Sequence, residues 1–217
     1  MSDIKGSDLF DEKGLGQIFL VTARRFPYSA FNSISTLVVA LLLLLHACAF
    51  DLPHKTFLPS VRSMADIGVS YGSAILGFLI AGFTIFATLT KPRLLVHMYL
   101  RTHKRTKLNY LKYNFFAFVE VFTIYLLLIG ASILVVVLGG TGGSASALIT
   151  KAFSVHSIII KDLIVRITYV GLGTLLYYAL VALKSFIYNI YHIVITSIVW
   201  EMNTSDENAP TESKKID

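Results

Sequence analysis

Four long apolar runs alternate with polar or basic stretches along the chain. They cover residues of about 34–50, 67–89 and 115–138, and a last run that begins near Leu163 and stays apolar to Trp200. A helix needs about 20 mostly apolar residues to cross a ~30 Å hydrocarbon core, so each run predicts a spanning helix. The fourth run is too long for one perpendicular crossing, because its 38 residues correspond to about 57 Å at 1.5 Å per residue. Either the helix projects beyond the bilayer or it breaks near Lys184 and Ser185. Tyr188, Asn189, Tyr191 and His192 suit a partly wet, packed surface, which favours projection. The predicted fold is an all-α, polytopic four-helix transmembrane bundle. Its spans lie at about 34–50, 67–89, 115–138 and 163–186, and the fourth helix extends to residue 200.

Between and beyond these runs the pattern is weaker. Residues 1–33 form an N-terminal segment in which Leu15, Ile18 and Phe19 suit a short amphipathic helix on the membrane surface, with Arg24 and Arg25 at headgroup level. The sequence Leu45-His46-Ala47-Cys48 imitates a lipoprotein cleavage site, but His46 fits it poorly and the polar region before it is very long. The first run therefore reads as a retained span. Gly139, Gly140, Gly142 and Gly143 mark a flexible break after the third span; the GK[ST] ending of a phosphate loop is missing. Residues 146–162 resemble an outer amphipathic segment, and residues 201–217 read as a disordered acidic tail.

Composition agrees with the pattern. Of 217 residues, 55% are hydrophobic and only 15% charged, against about a quarter charged in ordinary soluble domains. That argues against a soluble enzyme and against a disordered binding tail. The single cysteine, Cys48, excludes an internal disulfide framework or a CxxC motif. The net charge of +6 matters less than its placement. Lys5, Lys13, Arg24 and Arg25 precede the first span. Lys91, Arg93, Arg101, Lys104, Arg105, Lys107 and Lys112 lie between spans two and three with no acid among them, and Lys214 and Lys215 close the tail. The other side holds less than half as many, namely Lys55, Arg62, Lys151, Lys161 and Arg166. The positive-inside rule then puts both termini in the cytoplasm of a bacterial inner membrane, with outer loops at about 51–66 and 139–162.

Three groups of residues are candidates for function. Ser70, Ala74, Gly77, Ala81, Thr84 and Thr88 recur every three or four residues along span two, and Gly68 and Gly72 add a small-xxx-small pair. Such strips let helices approach closely where lipid offers no hydrophobic drive. The strip fits packing within the bundle, a self-association face or a pore lining. Glu120 and Lys184 are the acid and the base set well inside spans, both toward the inner leaflet, and they suit an intramembrane ion pair or snorkelling to the interface. Arg93, Arg101, Lys104, Arg105, Lys107 and Lys112 form a basic loop that suits anionic lipid or an acidic cytosolic partner. Tyr99, Tyr110 and Tyr113 interleave these bases as in nucleic-acid binders, yet tyrosine is equally expected at a membrane interface. The tyrosines therefore do not discriminate, and direct nucleic-acid binding stays open as the less favoured alternative. No GxSxG, HExxH, Walker or paired-carboxylate pattern points to catalysis, and no ligand set points to a metal or cofactor.

The topology, the basic central loop and the segment Leu76-Gly77-Phe78-Leu79-Ile80-Ala81-Gly82-Phe83-Thr84-Ile85-Phe86 resemble the small membrane proteins of bacterial anti-phage systems. The membrane subunits of Kiwa systems are the nearest resemblance, and retron membrane effectors come next. The resemblance covers about a quarter of the chain. It implies an inner-membrane homo-oligomer that registers phage-induced membrane disturbance and works with a cytosolic DNA-binding subunit. The expected function is accordingly a non-enzymatic, oligomeric membrane component of defence that docks a cytosolic partner. A small ion channel or pore-forming effector is the alternative.

Overall fold

A computed structural model gives the fold, and the structure describes residues 14–25, 30–49, 54–102, 106–140, 144–152 and 157–207. Seven helices follow one another: α1 (Leu15–Arg25), α2 (Ala30–Ala49), α3 (His54–Leu89), α4 (Pro92–Leu100), α5 (Tyr110–Leu138), α6 (Ser144–Ala152) and α7 (Ser157–Glu207). No strand occurs among the described residues. The four helices α2, α3, α5 and α7 are long and apolar enough to cross a membrane. Together they form the expected four-helix transmembrane bundle.

The bundle is built around α5, the helix with the most buried residues. α3 packs along one side of α5 and α7 along another, α3 and α7 also touch, and α2 lies against α7. Ala65, Leu79, Phe118, Val121, Tyr125, Leu128, Leu172, Ala179 and Phe186 belong to the central core. The Tyr125 hydroxyl, fully enclosed there, donates to the Ala179 carbonyl at 3.1 Å. A buried phenol needs such a partner, and this one ties α5 to α7. Near one end of the core, Phe118 meets Phe186 edge-on at 4.8 Å between ring centroids and stacks on Phe86 at 5.5 Å.

Two glycines decide how closely α3 and α5 approach. A Cβ at Gly68 would stand 2.1 Å from Ser132 Oγ, and one at Gly72 would stand 2.8 Å from Ile129 Cγ1. Gly173 does the same between α7 and α2, where Leu43 Cδ1 would lie 2.8 Å away. Dispersion between closely packed backbones takes the place of the hydrophobic drive that lipid removes.

Helix lengths depart from the sequence expectation at both loops assigned to the outer side. α3 starts at His54, well before the expected span, and carries Pro59 in its second turn. Phe57, Val61 and Ala65 are buried at helical spacing, so tertiary packing extends the helix through a segment read as a loop. α6 and the first turns of α7 occupy most of the second loop. α7 is unbroken over 51 residues, about 77 Å, so it has no break at Lys184 and Ser185 and overshoots any bilayer. It also runs to Glu207, into the stretch expected to be tail; residues 208–217 lie outside the described residues.

The bundle has two distinct ends. One is the basic end, where α4, the start of α5 and the last turns of α7 meet. At the opposite, far end, α3 begins and α2 and α5 stop.

Candidate functional site

At the basic end, local sequence sets a small second layer. Lys91 has extended backbone and Pro92 opens α4 in the first-turn position where its missing N–H costs nothing. α4 stops at Arg101, and the chain doubles back through a Thr102–Asn109 bridge, with the Tyr110 amide donating to the Arg101 carbonyl at 2.9 Å. Lys107 takes φ 56° in this turn, a left-handed conformation that an L side chain adopts at a cost. Asn109 then caps α5 by accepting the Lys112 amide at 2.7 Å. The extension of α7 is joined to α4 by the Lys91–Glu201 ion pair and by His97 and Trp200, whose rings lie 6.0 Å apart.

This layer borders a half-open cavity of about 530 Å³ between α4, α5 and α7. His97, Arg101 and His192 line it, together with Asn114 and Trp200. A second cavity, about 520 Å³, lies deeper between α2, α5 and α7. Glu120 and Lys184 line it with Asn32 and Ser185, whose side chains are joined by a 2.6 Å hydrogen bond from Asn32 Nδ2 to Ser185 Oγ. Tyr113 and Asn189 line both cavities, so a polar lining continues from the basic end to the Glu120 level inside the spans.

The expected site residues fall as follows. Glu120 and Lys184 share the deeper cavity but form no ion pair among the described residues; the Lys184 ammonium lies 4.4 Å from the Phe31 ring centroid instead. Arg93, Arg101 and Lys107 are exposed, and their side chains have no partner among the described residues. Lys112 departs from its group: it is only 8% exposed and lies 5.8 Å over the Phe116 ring, because the first turn of α5 turns it into the protein. Lys104 and Arg105 lie outside the described residues.

Ser70, Ala74, Gly77, Ala81, Thr84 and Thr88 are all exposed on the single chain, although Ser70 also borders a groove with Ile133 and Val136 of α5. The bundle uses the Gly68 and Gly72 face of α3 and leaves this one uncovered. Thr84 and Thr88 donate their hydroxyls to the carbonyls of Ile80 and Thr84, each at 2.9 Å, so only their lone pairs remain to offer.

The sequence reading missed the cavity-forming residues Asn32, Asn114 and Trp200, and it used Ser185 and Asn189 only to judge the course of the fourth helix. A signal existed. Ser185, Asn189, His192 and Thr196 fall at spacings of three or four, a polar stripe along one face of α7. It also missed two arginines at the far end. Arg62 donates from Nε and Nη2 to the Gly139 carbonyl, at 2.9 and 2.6 Å, and so caps α5. Arg166 pairs with Asp162 at 2.7 Å and donates to the Ala47 carbonyl near the end of α2. Cations placed on the last carbonyls of helices complement the helix dipole.

No protein-family model, curated protein or solved structure matches the chain.

Proposed function

We propose that this chain is a non-enzymatic, self-associating component of a bacterial inner membrane that docks an acidic cytosolic protein through its basic end. The single observation that carries the reading is the platform there. α4 is held to the extension of α7 by Lys91 and Glu201, while Arg93, Arg101 and Lys107 stay exposed and unpartnered among the described residues. A folded support with free bases is what an acidic partner needs for rapid, salt-dependent association. The positive-inside rule puts this end and both termini in the cytoplasm. The uncovered small-residue face of α3 is the surface assigned to self-association.

The physiological role follows from the resemblance described above. In this reading the protein serves anti-phage defence, registers disturbance of the bilayer, and passes it to a DNA-binding cytosolic subunit. Purification of the tagged full-length protein in gentle detergent, followed by native mass spectrometry, tests the assembly. The expected result is a homo-oligomeric membrane core with a stoichiometric cytosolic protein. A monomer without a partner would overturn the reading.

A small ion channel is the second reading, and the polar cavity at Glu120 favours it. Planar-bilayer recordings decide it. Conductance that Glu120→Gln alters would support a channel, and silence with the partner present would remove it.

A further inference from the structure

The cavity at the basic end combines Arg101, one of the bases assigned to docking, with residues that docking of a protein does not use. Three bases line it, His97, Arg101 and His192, and no acid does among the described residues. Asn114 also lines it. That residue is 7% exposed. Thr196 and Ser197 do not supply donors, since each hydroxyl already donates to its own helix at 2.7 Å. The remaining walls include Leu94, Met98 and Ile193. The indole of Trp200 closes one side, the kind of ring that settles where hydrocarbon meets water. The cavity lies beside the first turns of α5 and along the end of α7. Its size, about 530 Å³, is in the ordinary range for a small-molecule site.

We propose that this cavity binds the phosphate group of an anionic phospholipid, with Arg101 and the two histidines around the phosphate and Asn114 hydrogen-bonded to the headgroup. The site stands whether or not a protein partner docks nearby. Basic pockets between membrane helices on the cytoplasmic side are suited to such headgroups, and arginine suits the phosphate by its planar fork of donors.

Trp200 is the only tryptophan in the chain, so indole emission reports this cavity alone. Full-length protein in maltoside micelles is titrated with phosphatidylglycerol, with phosphatidylcholine of the same acyl chains, and with inorganic phosphate. The expected result is a saturable change of Trp200 emission with phosphatidylglycerol and none with phosphatidylcholine. Arg101→Gln, at an exposed position, should raise the half-saturating lipid fraction about fivefold. Saturation by inorganic phosphate alone, with the same Arg101 dependence, would support the phosphate site and identify a soluble source for its ligand. Equal responses to the two lipids, no response to any probe, or a response that Arg101→Gln leaves unchanged would each overturn the proposal. Because the lipid comparison uses the unaltered protein, it decides the matter even if a variant misfolds.

Discussion

At the far end of the bundle, Arg62 and Arg166 are bound to the carbonyls that close α5 and α2. At the basic end, Arg93, Arg101 and Lys107 are exposed and meet no partner among the described residues. The same residue types thus do opposite work. Far-end bases hold helix termini, where a guanidinium can satisfy a carbonyl that the helix leaves unpaired. Basic-end bases stay available to lipid or protein. Counting positive charge by side, as topology rules do, cannot distinguish these uses. Only partners can, and partners come from the fold.

α3 repeats the contrast on a smaller scale. Gly68 and Gly72 press against α5, whereas nothing lies within 4 Å of a Cβ placed at Gly77. The largest expected effect is on this pair of faces. Gly68→Leu forces a side chain into Ser132 and should destabilise the bundle by about 3 kcal/mol, as overpacking does. Gly77→Leu should leave unfolding unchanged and reduce the oligomer. Circular dichroism melts and native mass spectrometry of the two variants read the two effects separately. Equal melts would break the distinction.

Next in size is the comparison of the ends. Arg62→Ala removes two charge-assisted hydrogen bonds to the Gly139 carbonyl and should cost about 2 kcal/mol in detergent unfolding. Arg101→Ala, exposed and without a partner among the described residues, should change stability by less than about 0.5 kcal/mol. A comparable loss in both would mean that the basic end is structural too.

The smallest effect sharpens the comparison instead of breaking it. Lys107 sits at φ 56°, so Lys107→Gly should relieve strain of about 1 kcal/mol and raise the melting temperature. The same variant should weaken partner retention, because it deletes one of the free bases. Higher stability with poorer docking would separate the two roles at one residue.

Much of the fold was legible in the sequence. Span number and helical class follow from run length, since few structures satisfy the backbone of 20 apolar residues in lipid. The unbroken course of α7 past Lys184 was the favoured form, and the polar set at Tyr188, Asn189 and His192 carried that choice. The helical start of α3 was not legible, because Pro59 and the polar residues around it resemble a loop until Phe57 and Val61 find their contacts. The cavities were not legible either. Asn32, Glu120 and Asn189 are far apart in sequence, and only the crossing of α2, α5 and α7 brings them together. Lys112 shows the limit of reading a basic cluster by spacing, since the cap at Asn109 fixes where α5 begins and so which way Lys112 turns.

The central claim is that the exposed bases of the basic end dock an acidic cytosolic partner. Its most direct test is co-purification of that partner with the wild-type protein beside the triple variant Arg93→Glu, Arg101→Glu, Lys107→Glu, at matched expression and with native sizing of the membrane core. The account predicts a stoichiometric partner on the wild type, loss of it on the triple variant, and an unchanged core in both. A partner retained equally by both proteins would contradict it.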